Sequence, residues 1–136
     1  MNRESYYKKD LSSLYKLAQE YFNRWIRLRD PFCITCRRDT EEAGHFEHGG
    51  NNKYSFWCDF NPKNMNGQCT HCNHYGRGML NIYAEKLIKM YGPEVIEELN
   101  MLKWKGEVWG KEDLINIIEK CKINLLKIKD EHKSTS

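Results

Sequence analysis

Residues 33–36 read Cys33-Ile34-Thr35-Cys36, and residues 69–73 read Cys69-Thr70-His71-Cys72-Asn73. Two C-x-x-C pairs offer four thiolates, enough for one tetrahedral zinc ion. They are separated by 32 residues, positions 37–68, more than the middle of a simple zinc ribbon needs. A small subdomain is therefore expected inside the knuckle, with both of its ends pinned by the metal. Cys58 and Cys121 stand outside the pattern. Cys121 falls on an apolar helical stripe and reads as a small core residue. Cys58 reads as buried in a strand, with exchange into the metal site as the alternative.

The 136 residues suit one domain with a modest core. Hydrophobic residues make up 40 % and charged residues 30 %, which excludes a disordered chain. No apolar run reaches membrane-spanning length, and Met1-Asn2-Arg3-Glu4 lacks the apolar stretch of a signal peptide. The expected compartment is a reducing cytoplasm, where paired cysteines favour metal over disulfide. A net charge of +3 says little about nucleic acid. The distribution says more: Arg24, Arg27, Arg29, Arg37 and Arg38 gather beside the first cysteine pair with Asp30 as the one acid.

Along the chain, residues 1–9 read as a frayed start. Leu14, Leu17, Ala18, Tyr21, Trp25 and Leu28 recur at spacings of three and four, so a helix is expected over 10–28, capped by Ser12 or Ser13 and ended by Pro31. Two strands are expected at Glu42–Glu47 and Tyr54–Asp59, joined by Gly49-Gly50-Asn51-Asn52. Asn61–Gly67 is rich in turn formers. A second helix is expected from Met79 to Tyr91, ended by Gly92-Pro93, then a short one through Val95, Ile96 and Leu99. Residues 101–110 read as a connection and 112–129 as a last helix. The tail, 130–136, reads as disordered.

Ala43-Gly44-His45-Phe46, then Phe60 and Asn64 ahead of Gln68-Cys69-x-x-Cys72-Asn73, then Gly78, Tyr83, Leu87 and Tyr91-Gly92 form an ordered run of motifs over about 32–100. This run resembles the lambda NinG (Rap) family of phage recombination endonucleases, within the His-Asn-His (ββα-metal) nucleases. The resemblance implies an α+β protein with a zinc-knuckle ββα-metal core over 32–78, a helix before it and a helical part after it, 79–129. It implies a metal-dependent endonuclease acting on branched DNA such as Holliday junctions and D-loops in a bacterial host cell. His45 would be the base that takes a proton from water. Asn64 would orient His45, and Asn73 would offer its amide oxygen to Mg2+ or Mn2+. Cys33, Cys36, Cys69 and Cys72 would hold a structural Zn2+.

The chain departs from many His-Asn-His nucleases at Gly44, where an Asp ligand commonly precedes the histidine. Asp59 is then either a replacement cation ligand or the loss of a phosphate contact, with Glu47 and His48 as further candidates. Arg27, Arg29, Arg37, Arg38, Lys63 and Arg77 are the expected phosphate contacts. A homodimer would suit paired cuts at a junction, and phage or host recombination proteins would be natural partners. Two other readings remain open on the residues alone: a non-catalytic zinc module that binds DNA, and a nuclease of this type acting on ordinary duplex.

Overall fold

A computed structural model describes residues 1–49, 54–106 and 108–134. Of the expected Gly49–Asn52 loop, Gly50, Asn51 and Asn52 lie outside the described residues, as do Thr135 and Ser136 of the tail. Helix α1, Arg3–Tyr7, replaces the expected frayed start, with the Asn2 side chain accepting the Ser5 N–H. Helix α2 spans Leu11–Arg29, and Asp10, not a serine, caps it by accepting the Ser13 N–H at 2.7 Å. Helix α6, Lys111–Ser134, lies along α2. It runs past the expected stop at Lys129 because residues 130–134 contain no glycine or proline to end it.

The buried line of α2 is Leu14, Tyr15, Ala18, Phe22 and Ile26. Leu17, Tyr21 and Trp25 of the expected stripe only flank it, and Leu28 is exposed. The shift has a physical cause: α2 meets two neighbours, α6 on one side and the residue 56–65 segment on the other. From α6, Leu114, Ile115, Ile118 and Cys121 complete this core, as expected for Cys121. Tyr15 and Phe22 both pack on Phe60, with ring centroids 5.2 and 5.7 Å away. Each such buried aromatic contributes about 1.5–3 kcal/mol.

The sheet has two strands, β1 (Glu42–His45) and β2 (Met65–Gln68), paired antiparallel with Gly44 opposite Asn66 and His45 opposite Met65. The expected second strand at Tyr54–Asp59 is instead a helical turn, α3, Phe56–Asp59. Its aromatic composition suggested β structure, but burial decides otherwise. Phe56 and Phe60, four apart, enter the α2–α6 core, while Cys58 faces a second cluster with Tyr83, Leu87, Val95, Leu99 and Leu102. β2 falls in the stretch read as turn-rich. It forms because all four of its residues are buried and its backbone is paired.

The second cluster is built on helix α4, Leu80–Tyr91, and helix α5, Val95–Asn100, followed by a short 3-10 turn at Leu102–Trp104. The fully buried Tyr83 of α4 ties it to the sheet. Its hydroxyl donates to the Gly44 carbonyl at 2.7 Å, lies 3.3 Å from the Asn64 carbonyl, and accepts from Asn66 Nδ2 at 3.1 Å. Burial raises its pKa above the ordinary phenol value. Tyr83→Phe keeps the ring but strands those partners in a dry interior. A loss of about 1–3 kcal/mol in chemical denaturation is the expected outcome.

Candidate functional site

The cysteine spacing acts first at the level of two turns. In the first, the Cys33 N–H donates to the Arg38 carbonyl at 2.6 Å and the Arg37 N–H to the Cys33 carbonyl at 2.9 Å. Closing it puts Arg37 at φ 69°, a left-handed conformation costing a non-glycine residue about 1–2 kcal/mol. The second turn follows β2 directly. It runs into a π-helical turn, His71–Tyr75, closed by the Gly76 N–H on the His71 carbonyl at 2.8 Å. Such turns are frequent at functional sites.

The two turns bring the sulfurs of Cys33, Cys36, Cys69 and Cys72 within 4.8 Å of one another, and Cys36 Sγ lies 3.5 Å from Cys69 Sγ. Tetrahedral zinc with Zn–S bonds of about 2.3 Å needs sulfurs about 3.8 Å apart. The four thiols can therefore hold a metal ion such as zinc. Burial pushes the Cys72 thiol up to about 12. Burial also opposes ionisation of Cys33, but the Thr35 hydroxyl and backbone amides outweigh it and bring that thiol down to about 6. A dication would relieve the crowding that keeps the set from ionising together. Cys58 is buried in the second cluster, away from this set, and occupies a helix rather than a strand. Among the described residues no other group of three His, Cys, Asp or Glu side chains converges as closely.

Asn73 is carried directly behind Cys72. Its Nδ2 donates to Glu42 Oε1 at 2.8 Å, and the same carboxylate bonds His74 Nε2. This tie from the π-helical turn to β1 turns Asn73 Oδ1 toward Gly44: a Cβ on Gly44 would sit 3.0 Å from that oxygen. The same Cβ would meet Gln68 Oε1 at 2.0 Å. The space of the expected carboxylate ligand is thus filled by the Gln68 carboxamide. Gln68 Nε2 donates to the Thr35 hydroxyl at 3.2 Å and to the Gly78 carbonyl at 3.0 Å, while its buried Oε1 has no hydrogen-bond partner among the described residues.

His45 closes β1 and remains partly accessible. Its Nε2 lies 2.7 Å from Asp59 Oδ1, and the Tyr15 hydroxyl donates to Asp59 Oδ2 at 2.5 Å. Gln19, one turn along α2, donates to the Asp59 backbone carbonyl at 3.2 Å. Both carboxylate oxygens of Asp59 are therefore engaged, which is not how a free cation ligand is presented. His48 stacks on His45 with centroids 4.9 Å apart; packing, then the neighbouring imidazole, lower its pKa. Asn64 does not bond the imidazole. Its amide accepts from the Glu47 N–H and donates to the Glu47 and Cys58 carbonyls, and its own carbonyl accepts the Phe46 N–H. It locks the strand leaving His45 and so positions the histidine through the backbone.

The expected phosphate contacts divide. Arg27, Arg37, Arg38 and Arg77 are exposed. Lys63 faces Glu98 at 3.3 Å and lies over the Tyr91 ring. Arg29 is drawn into the fold, bonding both Asp30 oxygens, the Pro62 and Met65 carbonyls and Asn66 Oδ1. Its donors secure β2 to the end of α2, so it leaves the phosphate set. Tyr15 and Glu42 carry no local signal for the site: Tyr15 reads as one more aromatic on an amphipathic helix, and only its place on the core-facing line sets it beside Asp59.

The chain matches the family described as Bacteriophage Lambda NinG protein over residues 2–131. It is similar to protein ninG of Escherichia phage lambda, 33 % identical over 101 residues, covering 68 % of this chain and 48 % of that protein. The proteins of the same name from Escherichia phage 933W and Enterobacteria phage VT2-Sa are each 32 % identical over the same length, covering 68 % of this chain and 49 % of theirs. The chain spans about half the length of these relatives. No solved structure matches it, and no helix among the described residues is long and apolar enough to cross a membrane. With the family matched across nearly the whole chain, the protein belongs to the NinG family of lambda-like phages.

Proposed function

We propose that this protein is a metal-dependent endonuclease of branched DNA, with the two strands and the π-helical turn acting as a His-Asn-His (ββα-metal) centre. One observation carries the reading. The turn that converges the four thiols also delivers Asn73 Oδ1 against Gly44, the residue next to His45. A carboxamide oxygen and an imidazole are then brought to adjacent positions of β1, a cation ligand and a proton acceptor of the kind phosphodiester hydrolysis uses. His45 accepts a proton from water as the water oxygen bonds phosphorus; the bond to the departing sugar oxygen breaks, and that oxygen takes its proton from solvent. A Mg2+ or Mn2+ ion, when bound, would polarise the scissile phosphate and neutralise charge on the leaving oxygen. Asn73 would hold it through its amide oxygen, with water and phosphate supplying other ligands, as Mg2+ commonly requires. Exposed Arg27, Arg37, Arg38 and Arg77 would meet the DNA backbone, and zinc would occupy the four cysteines. A symmetric pair of chains would allow paired cuts at a junction.

Incubation of labelled four-way junction, flap and linear duplex with the protein and Mg2+ tests this reading. Preferential junction cleavage supports it; binding without cutting points to a DNA-binding zinc module, and equal cleavage of duplex to a general nuclease. His45→Ala is expected to abolish cleavage while leaving metal content and circular dichroism unchanged; full activity in that variant removes His45 from the chemistry. Asn73→Ala is expected to raise the Mg2+ concentration needed for half-maximal cleavage, and an unchanged titration reduces Asn73 to a structural tie. Elemental analysis is expected to find about one zinc per chain, and a folded, metal-free preparation contradicts the structural ion.

A further inference from the structure

We propose that Asp59, itself held by Tyr15, is a positioning residue that fixes the tautomer of His45, leaving Nδ1 as the proton-accepting nitrogen. The part of this inference that concerns water activation rests on the nuclease reading; the tautomer does not.

The geometry is a three-member chain reaching from α2 to the strand end. Tyr15 is nearly buried, and its ring is wedged among Tyr54, Phe60 and Trp109 at centroid distances of 4.5, 5.2 and 5.3 Å. Its hydroxyl therefore occupies a set position, and it meets Asp59 Oδ2 at 2.5 Å. The Asp59 backbone is held at both ends of its peptide unit, by the Ser55 carbonyl at 2.8 Å and by Gln19 Nε2 at 3.2 Å. Asp59 Oδ1 then has one direction to face, toward His45 Nε2 at 2.7 Å.

An ionised carboxylate only accepts hydrogen bonds. The proton of a neutral His45 ring is therefore held on Nε2, and the lone pair is left on Nδ1. Stacking against His48 restricts rotation of the ring out of that plane. In the cleavage step, Nδ1 takes the proton of the attacking water. Partners of this kind, one shell removed from the reaction, change rates by about 10–100-fold, and more when the wrong tautomer is populated.

The test uses the full chain with its cysteine-bound metal and 15N-labelled histidine, without DNA. Long-range 1H–15N spectra assign the tautomer, with His45→Gln identifying the resonances. The wild type is expected as the Nε2–H form, Asp59→Asn as a mixture or the Nδ1–H form, and Tyr15→Phe as partial loss of the preference. A wild-type ring carrying its proton on Nδ1 overturns the proposal, as does an Asp59→Asn ring that keeps a single Nε2–H form. Should Asp59→Asn fail to fold, the wild-type tautomer and Tyr15→Phe decide. On a cleavable substrate, Asp59→Asn is expected to lower kcat about 100-fold with KM unchanged; a change in KM alone overturns the positioning role. A wild-type protein that cuts no DNA removes the nuclease reading and leaves the tautomer measurement to decide this one.

Discussion

Convergence of four sulfurs to within 4.8 Å is the constraint on which this fold depends. Cys33 and Cys36 lie before β1, while Cys69 and Cys72 follow β2, so the cluster closes the end of the two-stranded sheet where Glu42 faces Gln68. Four residues per strand make an isolated pair marginal in water. A metal ion held there would tie the two cysteine turns together and remove chain entropy that side-chain packing on so small a sheet could not offset alone. The same closure fixes where the chain goes after Cys72, and Asn73 inherits its position from that direction. The π-helical turn and the Glu42 tie then set the direction of its amide oxygen.

A second support comes from α2, which lies outside the cysteine frame. Arg29 and Asp30 at its end bond the β2 backbone, including the Gly67 N–H on Asp30 Oδ2 at 2.9 Å. Tyr15 and Gln19, one turn apart near its middle, hold Asp59. The helix is therefore both a wall of the core and the ruler against which two parts of the site are measured. Tyr83 does the same from the other side by bonding β1 at Gly44. The His45 end of β1 is thus gripped from α2, through Tyr15 and Asp59, and from α4, through Tyr83 at Gly44, while the cysteine cluster closes the opposite, Glu42 end.

Those long-range grips explain what could be read from the sequence and what could not. The cysteine set, both long helices and the α4–α5 pair carry local signals: spacing, 3.6-residue periodicity, a Gly-Pro stop. The placement of β2 carries none, because Met65–Gln68 has weak strand propensity and is a strand only through complete burial and pairing with β1. Tyr54–Asp59 fails in the opposite sense, with strand-like composition overruled by two cores that pull Phe56 and Cys58 to opposite sides. Asn64 was legible as important, but its action through the Glu47 and Phe46 backbone depends on a hairpin register that no local pattern encodes. Asp59 was legible as chemical, while its partners Tyr15 and His45 stand 44 and 14 residues away.

Gly44 shows how one small residue decides which side chains can gather beside His45. A carboxylate at this position would need the volume that Gln68 Oε1 already fills, since even a Cβ would approach that atom to 2.0 Å. Gln68 cannot easily withdraw, because its Nε2 spans the Thr35 hydroxyl beside Cys33 and the carbonyl of Gly78, whose φ of 84° suits glycine. The carboxamide thus braces the first cysteine turn against the loop that leads into α4. On the nuclease reading proposed above, a neutral amide from Asn73 would carry the cation-binding role beside His45, and the negative charge that Mg2+ prefers would come largely from the phosphate itself. Such a site would gain its cation with its substrate, while Asp59, engaged by Tyr15 and His45, would serve the imidazole instead of the metal.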